Sequence, residues 1–87
     1  MALKDQFENA QERVRTLTKR PSNEELLDLY ALFKQATDGD NNTSKPGMFD
    51  VKGKFKWDAW KNKAGMTSEE AMQAYIQLVD DLLERLK

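Results

Sequence analysis

Two aromatic–lysine pairs stand out among the side chains able to do chemistry. Tyr30 and Lys34 are four positions apart, and so are Lys56 and Trp60. On helices, residues so spaced share a face. A ring beside an ammonium group suits a ligand that carries both phosphate and a nucleobase. The ring offers a stacking face or a phenolic hydrogen bond, and the lysine offers a mobile point charge with several donors. Spacing alone favours a plainer alternative, in which Tyr30 and Trp60 belong to the core and the lysine stems lie along them.

Catalysis has little to work with. The chain contains no histidine and no cysteine. That removes the commonest general base, the commonest metal ligand, thiolate chemistry and disulfides. Ser22, Ser44 and Ser68 have no histidine to activate them, and two of the three read as helix caps. Asp80 and Asp81 fall on the polar side of the last amphipathic stretch. The run Asp38-Gly-Asp40-Asn-Asn42 begins like an EF-hand loop, but Thr43 stands at the glycine position and Phe49 at the bidentate glutamate position. Calcium is therefore rejected there. Phosphate-binding glycine motifs are missing, because the four glycines are dispersed.

Charge narrows the search to the middle of the chain. Charged residues make up 33% of the sequence with a net charge of −1, yet residues 44–66 hold six Lys against two Asp, a local excess of +4. The segments on either side are net acidic. A basic middle between acidic flanks suggests a site for an anion. Within it, Lys52-Gly-Lys54-Phe-Lys56-Trp-Asp-Ala-Trp60 interleaves bases with rings.

The elements that must carry these residues are helices. Leu3, Phe7, Ala10, Val14 and Leu17 follow one another at helical steps, predicting a first helix over 3–17. Arg20-Pro21 breaks that pattern, and Ser22-Asn-Glu-Glu25 restarts it with a capping box. Leu26, Leu29, Tyr30, Phe33 and Ala36 continue at helical spacing. A stretch of about 15 residues rich in Gly, Pro, Asn and Asp then precedes a third helix, expected from Gly53 onward. In that helix Phe55, Ala59 and Trp60 form one apolar set. Gly65 reads as a stop, and Thr67-Ser-Glu-Glu70 opens the strongest helix with a second capping box. Its stripe is Met72, Tyr75, Ile76, Val79, Leu82, Leu83 and Leu86.

Eighty-seven residues make one domain, 1–87, and four amphipathic helices without strand-like alternation make it an all-α bundle. No apolar run approaches the roughly 20 residues of a membrane span. The start of the chain carries Lys4 and Asp5 and lacks the apolar core of a signal peptide, so a cytoplasmic location is expected.

The order of the aromatic and basic residues adds a specific resemblance. Three blocks carry it: Tyr30-Ala-Leu-Phe-Lys34-Gln-Ala-Thr-Asp-Gly-Asp40, Lys45-Pro-Gly-Met-Phe-Asp50 and Gly53-Lys-Phe-Lys56-Trp-Asp-Ala-Trp60. They resemble the hallmark blocks of the acyl-CoA-binding protein family, Y-x-x-[YF]-K-Q-A-T-x-G-D, [RK]-P-G-[ML]-x-D and G-K-x-K-W-D-A-W. Ala71-Met-Gln-Ala-Tyr75-Ile also matches, and the first helix matches more loosely. The likeness covers essentially the whole chain.

The resemblance implies a four-helix, up-down-down-up bundle with a bowl between the helices. It implies a carrier of long-chain fatty acyl-CoA thioesters that moves them between membranes and acyl-CoA-using enzymes. No cofactor, metal or nucleic acid is expected, and the chain is expected to act as a monomer. By position, Tyr30, Lys34 and Lys56 match the residues that hold the 3′-phosphate and adenine of CoA. Tyr75 matches a tyrosine lining the same site. Arg15 and Lys52 stand where basic residues near the head group are common, and Leu27 matches an apolar residue beside the ligand. Phe33 replaces a frequent tyrosine and keeps its ring. Gln11 stands where a small alanine usually borders the mouth of the acyl groove. A helical protein-interaction module with no small-molecule ligand is the alternative, and it leaves the ordered lysine–aromatic blocks unexplained. A nucleic-acid binder is disfavoured by the net charge of −1.

Overall fold

A computed structural model describes residues 2–86 of the chain. Four helices follow in order: α1 (Leu3–Val14), α2 (Asn23–Asp38), α3 (Val51–Lys61) and α4 (Ser68–Arg85). Both capping boxes form. The Ser22 hydroxyl accepts from the Glu25 N–H at 3.1 Å, and the Glu25 carboxylate accepts from the Ser22 N–H at 2.9 Å. Thr67 and Glu70 repeat the exchange at 3.1 and 2.9 Å. Each N-cap contributes about 0.5–2 kcal/mol.

Two helix boundaries differ from the apolar periodicity. α1 ends at Val14, three residues short of Leu17. The backbone tightens there through Arg15 N–H to Glu12 O and Thr16 N–H to Arg13 O, while the Thr16 hydroxyl donates to the Arg13 carbonyl at 2.6 Å. A side chain that bonds its own turn competes with helix continuation. Leu17 still packs on the core from outside the helix. α3 begins at Val51, two residues before Gly53, because Asp50 caps it by accepting the Gly53 N–H at 3.0 Å. A Cβ at Gly53 would lie 2.3 Å from the Asp50 carboxylate, so a larger residue there would force the capping side chain to shift.

The contacts fix the helix directions. Phe7 meets Tyr75 and Arg13 pairs with Asp80, so α1 and α4 run parallel. Glu25 pairs with Arg85 while Ala36 accepts from Ser68, so α2 opposes α4. Tyr30 meets Lys56 and Lys34 meets Trp60, so α3 runs with α2. The result is an up-down-down-up bundle. α4 is its central element and packs on both α1 and α2, and α2 also packs on α3. Ala10, Leu29, Leu32, Ala36, Ala71, Val79 and Leu82 fill the interior with the rings of Phe7 and Tyr75. The small residues Ala10, Ala36 and Ala71 let the helices approach closely. No described helix is long and apolar enough to cross a membrane.

Residues 39–50 join α2 to α3, and α3 holds that segment down. The Trp60 indole donates to Gly39 O at 2.8 Å, and the Trp57 indole donates to Thr43 O at 3.1 Å. Lys61 Nζ donates to Asn41 O at 3.1 Å, and the buried Asn41 amide donates to Trp57 O at 3.2 Å. Asp40 accepts from Gln35 Nε2 at 2.8 Å and from the Gly65 N–H at 3.0 Å. Gly65 has φ 92°, a left-handed conformation that suits glycine. Among the described residues no group of three or more His, Cys, Asp or Glu side chains is placed to hold a metal ion.

Candidate ligand-binding site

α1 and α2 both lean on α4, and their own backbones do not approach: their Cα atoms stay more than 8 Å apart. Only side chains bridge the gap, with the Phe7 and Phe33 rings stacked at 6.1 Å. The opening above them is a cavity of about 530 Å³. Phe7 and Gln11 contribute to it from α1, Phe33, Ala36 and Thr37 from α2, and Met72 from α4, with Lys4 and Glu8 at its edge. A cavity of this size, largely apolar with a few polar groups, suits an alkyl chain.

α2 is the element that links this cavity to the basic residues. Phe33, Ala36 and Thr37 occupy one strip of the helix. Tyr30, Lys34 and Leu27 occupy the next strip, rotated by about a quarter turn at roughly 100° per residue. α3 lies beyond that second strip. The ring–ammonium contacts run across the α2–α3 interface: Lys56 Nζ is 5.3 Å from the Tyr30 ring centroid, and Lys34 Nζ is 4.9 Å from the Trp60 ring. The four residues therefore exchange partners relative to their i, i+4 spacing and form one cluster. Trp60 is buried, as the core reading expected, whereas Tyr30 is half-buried and Lys56 exposed.

Asp38 is a partner of Lys34 that the sequence reading did not identify. It pairs with Lys34 one turn away, and that hydrogen bond is the main reason the Lys34 ammonium titrates above an ordinary lysine. Burial of Lys34 opposes the shift.

The remaining candidate residues are distributed over several places. Tyr75 is buried and stands edge-on to Phe7 at 5.0 Å, so it belongs to the core beneath the cavity. Burial raises its phenol above the usual value, and the Arg15 charge opposes the rise. Arg15 follows the end of α1 and lines a second hollow of about 380 Å³ with Val14, Leu17 and Leu26. Lys52 is exposed on α3, one turn before Lys56. Leu27 is half-buried on α2 and lines neither cavity. Gln11 and Phe33 line the first cavity together. Phe7 and Met72 were legible only as core positions, because an apolar stripe does not distinguish a cavity wall from a filled interior.

The comparisons with known proteins agree with this geometry. A sequence model of the family described as acyl CoA binding protein matches residues 4–79. The chain is 56% identical over 81 residues to the acyl-CoA-binding protein homolog of Drosophila melanogaster, covering 93% of this chain and 94% of that protein. It is also 56% identical over 79 residues to acyl-CoA-binding protein homolog 1 of Caenorhabditis elegans, covering 91% and 92% respectively. The crystal structure of Oryza sativa acyl-CoA-binding protein 2 superposes with a TM-score of 0.90 at 49% identity, covering 94% of this chain and 89% of that one. Sequence and fold agree over nearly the whole length, and the chain belongs to the acyl-CoA-binding protein family.

Proposed function

We propose that this protein reversibly binds medium- to long-chain fatty acyl-CoA thioesters and serves as their intracellular carrier and reservoir. The observation that carries the reading is the adjacency of two unlike surfaces on α2. Tyr30 and Lys34 lie on one strip, where they meet Trp60 and Lys56 of α3, and the wall of the 530 Å³ cavity lies on the next strip. A CoA head group has about four negative charges at neutral pH, which suits the lysines. The acyl chain gains roughly 0.8 kcal/mol for each CH₂ fully removed from water, which suits the cavity.

Tyr30, Lys34 and Lys56 hold the 3′-phosphate and adenine in this reading, with Arg15, Lys52 and Tyr75 supporting the head group. Gln11, Phe33 and Leu27 adjoin the chain or the adenine. The protein acts as a single-domain monomer in the cytoplasm and needs no cofactor. It performs no catalysis and meets membranes or acyl-CoA-using enzymes only transiently. Isothermal titration with palmitoyl-CoA, free CoA and an oligonucleotide tests the assignment. Palmitoyl-CoA should bind far more tightly than free CoA, and the oligonucleotide should not bind. Equal heats for palmitoyl-CoA and free CoA would remove the acyl groove, and no binding by either would leave a protein-interaction module.

A further inference from the structure

Among the described residues, the large apolar side chains that the fold leaves exposed all lie within eight consecutive positions. Met48 is 81% exposed, Phe49 93%, Val51 59% and Phe55 57%. Helical spacing placed Phe55 in an apolar set with Ala59 and Trp60, but it points outward. α3 packs on α2 alone among the described helices, so its far side has no partner. Val51 and Phe55 lie one turn apart on that far side, opposite the buried Trp60, with Lys52 and Lys54 flanking them. Met48 and Phe49 form the turn just before α3.

The charges around this patch are predominantly positive. Residues 44–57 contain Lys45, Lys52, Lys54 and Lys56 against a single acid, Asp50. The Asp50 carboxylate is turned back on the helix as the cap of Gly53. The apolar groups project from a turn and a convex helix face. Protruding rings and a thioether with lysines beside them match a phospholipid interface, where acyl chains begin beneath phosphates.

We infer that residues 48–55 form a docking face for anionic phospholipid surfaces. Met48, Phe49, Val51 and Phe55 enter the acyl boundary, and Lys45, Lys52 and Lys54 meet the headgroup phosphates. The inference deepens the carrier reading and rests on it for its purpose: docking brings the bundle to the surface where long-chain acyl-CoA partitions.

The test is co-sedimentation of the full chain, without acyl-CoA, with phosphatidylcholine vesicles made with and without phosphatidylserine. The unsubstituted protein should bind the phosphatidylserine vesicles and bind the neutral ones much more weakly. Phe49→Ser and Phe55→Ser should each weaken binding about tenfold or more, because each removes a ring from the apolar boundary. Lys54→Glu should weaken it as well. These side chains are exposed, so palmitoyl-CoA titration in the absence of lipid should be unchanged in all three variants and serves as the folding control. The inference is overturned if the protein does not bind phosphatidylserine vesicles, or if the phenylalanine variants bind as the parent does. It is also overturned if Phe49→Ser instead abolishes a dimer seen by gel filtration, which would assign the face to a second copy. Vesicle binding with the expected pattern but no palmitoyl-CoA titration would remove the carrier function and leave the docking face standing.

Discussion

The Lys56 ammonium stands 5.3 Å from the centroid of the Tyr30 ring, across the interface of α2 and α3. Neither helix alone makes this contact, so the register of the two helices assembles the lysine–ring cluster. Lys56→Ala and Lys34→Ala should each weaken palmitoyl-CoA binding by roughly 1.5–3 kcal/mol, the range of a charge-assisted hydrogen bond. Lys61 makes a useful control on the same helix, since its ammonium is already engaged by Asn41 O at 3.1 Å. Lys61→Ala should reduce thermal stability while leaving affinity nearly unchanged. Equal affinity losses for all three variants in a titration would break the site assignment.

Asp38 pairs with Lys34. If Lys34 meets a phosphate of the ligand, that ion pair must open or share its ammonium. The Asp38 side chain is about half exposed, so solvent screening keeps the competition small. Asp38→Asn should therefore tighten palmitoyl-CoA binding by about two- to fivefold, a change consistent with a surface pair worth less than about 1 kcal/mol. The gain should shrink as salt rises. Unchanged or weaker affinity in Asp38→Asn would mean that the pair orients Lys34 for the ligand instead of occupying it.

Much of this was legible in the chain. Ser22-Asn-Glu-Glu25 and Thr67-Ser-Glu-Glu70 specify their helix starts locally, because the donor, the acceptor and the exposed N–H groups lie within four residues. Tyr30 and Lys56 were marked by residue type and by resemblance. Their contact was not legible, because it depends on α2–α3 register, which contacts such as Trp60 with Gly39 O set across 21 positions. Asp40 and Asn41 read as turn residues, while their roles depend on Gly65 and Trp57 far along the chain. Phe55 misled for a different reason. Helical spacing identifies a face but not whether anything covers it.

Asp40 should make the connection between α2 and α3 sensitive to acid. The Gly65 N–H, and then the Gln35 amide, stabilise its ionised form and hold its pKa below the usual aspartate value. A carboxylate with a lowered folded pKa adds stability above its unfolded pKa, near about 4, and loses it as pH falls through the folded value. Glu25 and Glu70 are lowered too, by Arg85 and by the Thr67 N–H respectively, so they add to the same acid limb. In urea unfolding from pH 7 to pH 2, Asp40→Asn should be less stable than the parent at neutral pH. Its stability should also fall less on acidification. Identical pH profiles would show that Asp40 gains nothing from its ionised form.

Tyr75 separates packing from recognition. Its ring sits edge-on to Phe7 inside the core, and Phe7 in turn lines the cavity. Tyr75→Phe keeps the ring contact and removes only the hydroxyl. If the hydroxyl meets the ligand, affinity should fall by about 0.5–1.5 kcal/mol, the usual net worth of one hydrogen bond. The melting temperature of the ligand-free protein should barely change. A large loss of melting temperature with intact affinity would confine Tyr75 to the core.

Gln11 should set where the benefit of a longer acyl chain stops. It lies one turn after Phe7 and lines the 530 Å³ cavity opposite Phe33, a position where its amide occupies space and brings polar atoms to an apolar wall. Affinity must rise with chain length while each added CH₂ is buried, and level off once the groove is full. Ten additional CH₂ groups would contribute about 8 kcal/mol if fully buried, and the open groove reduces that gain substantially. Gln11→Ala enlarges the groove and removes an amide that the chain must otherwise desolvate. The variant should therefore strengthen binding of the longest chains more than that of octanoyl-CoA, moving the plateau to greater length. Dissociation constants for a series of acyl-CoA esters, from octanoyl to eicosanoyl, measured for both proteins, decide the matter. Parallel curves would place the Gln11 side chain outside the path of the acyl chain, and a flat series would eliminate the groove as an acyl site.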